Sequence, residues 1–217
     1  MKVLLEKNEM SKMDDIIRRI INEIKFSDER AEELRKKFGW RFVQSTNPKS
    51  GKEYKKLHIY TFKSPKYKYI VHIEEYEYDY FLISFFPKLN KDFYVKQSIL
   101  GSKGQEHYDE YSYLTKENIP LKILTLLISE MKSILADKPY ASFGYFGAPD
   151  VKTGEDEDLF NTKRVRIYNR IISNELSKTH KIVSDPPFSG SLVLNKEVLE
   201  EYPLFEKYCM DILESHL

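Results

Sequence analysis

The sequence predicts an α+β fold, a single domain whose mixed, largely antiparallel sheet is flanked by helices. Three observations lead there. Apolar stripes at helical spacing and alternating strand patterns both occur, and they intermix along the chain rather than separating into blocks. Hydrophobic residues at 41% against charged residues at 32% supply a core and a well-solvated surface. The 217 residues suit one large domain, and no internal repeat or flexible linker divides them. The expected organisation is an N-terminal helical pair over 1–39 and a sheet-and-helix core over 40–217.

The elements follow in order. Ser11 with Asp14 forms a capping-box pattern ahead of Ile16, Ile17, Ile20, Ile21 and Ile24, which repeat at helical spacing. Ser27 caps a second helix, with Asp28 and Glu29 in its first turn, a stripe of Ala31, Leu34 and Phe38, and Gly39 at its stop. Strands are expected over Trp40–Ser45 and Lys56–Lys63, separated by the Asn47–Gly51 turn, with Ser64-Pro65 marking the next turn. Tyr67, Tyr69, Val71 and Ile73 alternate as a half-buried strand. The phase then slips at Glu74-Glu75, because Tyr76, Tyr78 and Tyr80 carry the opposite parity, and this requires a bulge or a hairpin. Tyr80–Phe86 is continuously apolar, as a strand covered on both faces should be, and Pro87 ends it.

Residues 88–118 read as a long polar connection with one short strand candidate at Tyr111–Leu114. Asn118 and Pro120 open a helix with the stripe Leu121, Leu124, Leu127, Ile128, Met131 and Leu135. A strand at Ala141–Phe146 and an acidic loop precede the next helix, Thr162–Leu176, capped by Asn161 and buried through Val165, Tyr168, Ile172 and Leu176. Pro186-Pro187 and Ser189-Gly190-Ser191 separate two final strands, and Asn195 caps a closing helix broken near Pro203.

Several function classes drop out. No apolar run approaches the ~20 residues of a membrane span, and Met1–Glu6 meets an acid before a signal-peptide core forms. The single Cys209 forms no internal disulfide, so a cytosolic setting is expected, and it reads as a small buried hydrophobe with Phe205 and Ile212. The five histidines show no metal spacing, and Glu155–Asp158 lacks the alternation of a calcium loop, so no metal site is expected. No P-loop, dinucleotide fingerprint or serine or cysteine nucleophile motif is present.

The net charge of +1 conceals segregation. Arg35–Lys68 holds eleven basic residues against Glu53 alone, and acids then gather at Glu74, Glu75, Glu77 and Asp79. Within the basic stretch, Lys55, Lys56, Lys66 and Lys68 are candidate contacts to an anionic partner, either nucleic acid or an acidic protein. Trp40, Phe42, Tyr54, Tyr60 and Tyr67 interleave with them, as on surfaces that stack bases, but ordinary strand amphipathicity gives the same pattern.

The order of elements, together with Asn161-Thr162-Lys163-Arg164-Val165-Arg166-Ile167-Tyr168, resembles the GNAT-type N-acetyltransferase fold. That stretch is also similar to uncharacterised bacterial proteins with an Arg-x-Arg-Leu/Ile-Tyr helix. The resemblance implies that Asn161 touches the acetyl-CoA arm and that Tyr168 protonates the leaving thiolate. The family's pyrophosphate loop is not matched, since Asn118-Ile119-Pro120 stands where it should and proline lacks one backbone donor. The nearest candidate phosphate contacts are Gly101 and Gly104, in Gln97–Gly104. The sequence therefore favours a GNAT-like binding or regulatory module with no cofactor, acting through a basic surface. The alternative is an acetyl-CoA-dependent N-acetyltransferase. A tyrosine on an apolar helix stripe is usually core, which is the reading favoured for Tyr168, and Asn161 suffices as a helix cap with no cofactor.

Overall fold

The structure, a computed structural model, describes residues 27–48, 51–88, 120–146, 163–185 and 190–216. The first predicted helix, the connection after Lys88 with its strand candidate, and the acidic run at 155–158 lie outside the described residues.

Helix α1 (Asp28–Phe38) begins where the Ser27 hydroxyl accepts from the Arg30 amide at 3.1 Å, and it ends at Gly39. Acids fill its first turn and Arg35, Lys36 and Lys37 its last, the arrangement the helix dipole favours. Seven described strands follow: β1 (Arg41–Thr46), β2 (Lys56–Lys63), β3 (Lys68–Glu75), β4 (Tyr80–Pro87), β5 (Ser142–Phe146), β6 (His180–Asp185) and β7 (Gly190–Asn195). They form one sheet in the order β1-β2-β3-β4-β5-β7-β6. Among them only β4 and β5 run parallel, and a parallel pair needs a long crossover. That crossover carries helix α2 (Pro120–Asp137). Helix α3 (Lys163–Leu176) precedes β6, while α4 (Lys196–Glu201) and α5 (Phe205–Glu214) close the described chain.

Strand alternation sorts the apolar residues into two cores. Phe62, Val71, Ile73, Phe81, Ile83, Phe143 and Val193 face α1, α2 and α3, where they meet Leu34, Phe38, Leu127, Met131 and Ile172. Tyr80, Leu82, Leu192 and Leu194 face the other way, onto Val198, Phe205, Cys209, Ile212 and Leu213 of α4 and α5. In α2 every residue from Ile123 to Ile128 is buried, so the predicted stripe widens to a helix enclosed on most sides. The enclosing element is α1, tied to α2 by the ion pair Arg35–Glu130 at 2.8 Å. Each fully buried Leu or Ile in this layer contributes about 1.5–3 kcal/mol.

The phase slip at Glu74-Glu75 resolves as a hairpin. β3 ends at Glu75, Glu77–Asp79 form a single 3₁₀ turn, and β4 begins at Tyr80. Tyr78 (φ 56°) and Asp79 (φ 51°) are both left-handed, a conformation that costs a residue with a side chain roughly 1–2 kcal/mol. Asp79 is held by Lys138 at 2.6 Å, and Tyr78 packs its ring against Tyr202, 5.3 Å between centroids.

The last hairpin differs from expectation. Gly190 and Ser191 begin β7 rather than belonging to the turn, with Gly190 opposite both Asp185 and Phe146. A Cβ at Gly190 would stand 2.7 Å from Leu213 Cδ2, so the residue lets α5 approach the sheet. Asn195 caps α4 as expected, accepting from the Glu197 and Val198 amides at 3.0 and 3.3 Å.

A Cβ at Gly144 would collide with the hydroxyl of Tyr80, a ring fully buried across β5. Gly144→Ala should therefore lower stability by about 1–3 kcal/mol through overpacking. Chemical denaturation checks this, and an unchanged midpoint would mean that the Tyr80 ring relocates without cost.

Candidate functional site

The meander β2-β3-β4 pairs without a slip, and its register sends the two charge types to opposite ends. Lys63 stands directly opposite Lys68, and the Lys88 amide donates to the Lys68 carbonyl at 2.6 Å. Lys66 lies in the intervening turn, which Ser64 closes by accepting from the Tyr67 amide at 2.9 Å. Arg41 joins them, because it opposes Thr61 and donates to its hydroxyl at 3.3 Å. Arg41, Lys63, Lys66 and Lys88 are exposed and Lys68 is half-buried. Among the described residues, no salt bridge involves Arg41, Lys63, Lys68 or Lys88.

The other end holds the acids and consumes cations. Lys55 pairs with Glu77 at 2.6 Å. Lys138 bridges Glu75 at 2.8 Å and Asp79 at 2.6 Å. His58 Nε2 donates to Glu75 at 3.2 Å while its Nδ1 accepts from Ser45 at 2.8 Å. Lys56 begins β2 directly opposite Glu75. The four lysines singled out by sequence thus fall into two groups, Lys66 and Lys68 at one end, Lys55 and Lys56 at the other. Seven strand rises, about 23 Å, separate Lys56 from Lys63. That exceeds the Debye length of about 8 Å at physiological salt, so the acids do not neutralise the basic end.

Sequence reading missed Lys88, which lies twenty residues beyond Lys68 and past the acidic run. Its signal was strand length: an eight-residue strand paired back on its predecessor returns the chain to where that strand began. The interleaved aromatics mostly turn inward. Trp40 stacks on Phe62 at 5.7 Å, and Phe62 on Tyr69 at 4.7 Å, inside the first core. Tyr54 is buried in the second core, and only Phe42 of the group is largely exposed. The basic end therefore offers mainly charge, with Phe42 beside Arg41 as its one largely exposed ring among the described residues.

Tyr168 lies in a different place. It is buried on α3, 6.4 Å from the ring of Tyr145 on β5. Tyr145 pairs with Ile83 of β4, a strand that runs on to Pro87. The Tyr145 hydroxyl donates to Asn169 Oδ1, and Asn169 Nδ2 donates to Ser184 at 2.8 Å. Burial pushes the Tyr145 phenol well above its ordinary value, so it stays protonated. Asn161, Gly101 and Gly104 lie outside the described residues. Among the described residues, no group of three His, Cys, Asp or Glu side chains is placed to hold a metal ion, and no helix is long and apolar enough to cross a membrane. Comparison with family models, with curated proteins and with solved structures finds no match to this chain.

Behind the acidic end, the second core is latched by His216. Its Nε2 donates to Glu74 at 2.8 Å and its Nδ1 to the Ile212 carbonyl at 2.9 Å, so both nitrogens face acceptors and the imidazolium fits. The Tyr76 hydroxyl adds a hydrogen bond to Glu74 at 2.7 Å. Burial lowers the His216 pKa, but the Glu74 hydrogen bond and charge outweigh it and leave it above 6.5. Burial raises the Glu74 pKa, and the hydrogen bonds from His216 and Tyr76 bring it below 4.5. The histidine contribution is full below pH 6.5 and fades as pH rises through its folded value. The carboxylate contribution is full above pH 4.5 and fades as pH falls through its own. His216→Gln should accordingly cost on the order of 1 kcal/mol near pH 5.5, and clearly less at pH 9. Denaturation of both proteins at the two pH values checks this, and a pH-independent difference would exclude the charged pair.

Proposed function

We propose that the protein is a binding module that engages an anionic partner through the basic end of its sheet, with Arg41, Lys63, Lys66, Lys68 and Lys88 as the contact set. One observation carries this reading: the meander register gathers these cations at one corner, beyond screening distance of the acids that neutralise Lys55 and Lys138. Lysine at such a corner acts as a point charge on a flexible stem, suited to phosphates or carboxylates without fixed geometry. The partner is a polyanion recognised by charge density, either a nucleic-acid backbone or an acidic protein segment.

Binding of a labelled mixed-sequence oligonucleotide and of a labelled polyglutamate, each titrated over a range of salt, tests the reading and separates the two partner chemistries. Lys63→Glu combined with Lys68→Glu should weaken binding at least tenfold and reduce the salt slope by roughly one for each phosphate no longer neutralised. Lys55→Glu and Lys56→Glu, at the opposite end, should leave it almost unchanged. Equal losses in both pairs would point to non-specific attraction, and no binding of either probe would exclude the reading.

A second reading, acetyl transfer from acetyl-CoA to an amine by a GNAT-like fold, is favoured by the place of Tyr168. The side chain stands beside Tyr145 of β5, and the described elements run helix, meander, long helix, strand, shorter helix, strands. Acetyl-CoA would supply the activated thioester, Tyr168 the proton for the leaving thiolate, and Asn161, Gly101 and Gly104 the contacts to the coenzyme. Saturating acetyl-CoA at a hundredfold excess over its dissociation constant adds about 2.7 kcal/mol, a midpoint rise of roughly 5–10 °C for a domain of this size. On this reading Tyr168→Phe keeps that rise but loses turnover. A flat melt at millimolar acetyl-CoA excludes it.

A further inference from the structure

The tip of the β3–β4 hairpin uses an uncommon residue for its job. Two consecutive left-handed positions are ordinarily met by Asn-Gly or Asp-Gly, which adopt them with little strain. Here the first is Tyr78, and its ring remains 53% exposed although it touches Tyr202, Tyr208 and Phe205 at 5.3, 5.6 and 6.1 Å. The turn itself does not require that ring.

What surrounds Tyr78 gives the ring a role. Tyr202 is 43% exposed and Leu204 76% exposed, and both belong to the bend between α4 and α5 on which Tyr78 rests. Three of the six exposed large hydrophobic side chains among the described residues therefore share one corner. The bend is held rigidly: the Tyr202 amide donates to the Val198 carbonyl at 2.8 Å, and the Phe205 amide to the Tyr202 carbonyl at 2.9 Å. Edge-on contacts of the Tyr78 ring with Phe205 and Tyr208 seat the hairpin against α5. A tyrosine-rich apolar knuckle, ordered before contact, loses little side-chain entropy when a partner covers it.

The charge around the knuckle selects the partner. Residues 196–214 carry six acids and two lysines. One of those lysines, Lys196, is spent on the Ser177 and Lys178 carbonyls at 2.8 and 3.3 Å. Glu200 and Glu201, next to Tyr202, are exposed and take part in no salt bridge among the described residues. A cation placed over an exposed tyrosine face gains from the ring as well as from these carboxylates.

We infer that this corner is a docking site for a basic protein segment, in which an apolar residue seats against Tyr78, Tyr202 and Leu204 and flanking Lys or Arg side chains meet Glu200 and Glu201. The site is separate from the basic end of the sheet, carries the opposite charge, and stands or falls independently of it. A fluorescein-labelled dodecapeptide of lysine and leucine with one tryptophan, followed by anisotropy, is the probe. The native protein should bind it in the micromolar range. Tyr202→Ala, at an exposed position, and Tyr78→Gly, which relieves the left-handed backbone, should each weaken it at least tenfold with the far-ultraviolet circular dichroism unchanged. Glu200→Lys with Glu201→Lys should do the same, whereas Lys63→Glu with Lys68→Glu should not. Three results would overturn the inference: equal affinity in Tyr78→Gly and Tyr202→Ala to that of the native protein, equal binding of a dodecalysine that lacks apolar residues, or a native dimer that Tyr202→Ala dissociates. The last would make the corner an interface between copies of the chain.

Discussion

The unslipped antiparallel register of β2, β3 and β4 is the constraint from which most other features of this molecule follow. Strands of eight residues bring each turn back over the previous one, so residues far apart in sequence share an end of the sheet. Because side chains alternate with period two, the same register decides which residues face α1, α2 and α3 and which face α4 and α5. A shift of one residue between β3 and β4 would exchange Phe81 and Ile83 with Tyr80 and Leu82. It would also break the match of each core to its helices. Burial thus holds the register, and the register in turn places the charges.

Neighbouring carboxylates at the end of β3 show how this works at close range. Glu74 and Glu75 are adjacent in sequence but point to opposite faces, so each secures a different part of the protein. Glu74 receives His216 and Tyr76 and anchors the end of α5. Glu75 receives Lys138, just after α2, and His58 on β2. Glu74 and Glu75 are half-buried connectors, and they engage the cations near them. Lys63, Lys68 and Lys88 at the opposite end lie beyond their reach, and this contrast gives the molecule a polar axis that its net charge of +1 conceals.

Charge polarity also separates the readings of function. The basic end offers charge with Phe42 as its one largely exposed aromatic among the described residues, because Trp40, Phe62 and Tyr69 stack on one another inside the core. The hairpin tip offers the converse, exposed aromatic surface within an acidic setting. Tyr168, buried beside Tyr145, is a third feature, and the acetyl-transfer proposal draws on a tyrosine that the core also uses. Fold alone does not choose among them, since sites rather than folds carry function.

Local physics was enough to determine much of this protein from its sequence. Ser27 and Asn195 announce their helices because a side-chain acceptor at that position satisfies amides with no other partner. The parity break at Glu74-Glu75 announces a bulge or a hairpin, because alternation cannot change phase within a straight strand, and the structure makes it a hairpin. The apolar run Tyr80–Phe86 announces a central strand for the same reason of pattern. Tertiary structure decided the rest. The joining of Lys88 to Lys63 and Lys68, the separation of Lys55 and Lys56 from Lys66 and Lys68, and the pairing of His216 with Glu74 across 142 residues all depend on strand order and register. Those follow from how two apolar faces are covered at once, a property of the whole sheet that no local window contains. Gly190 illustrates the boundary: its sequence context reads as a turn, and only the approach of Leu213 shows why a side chain is excluded there.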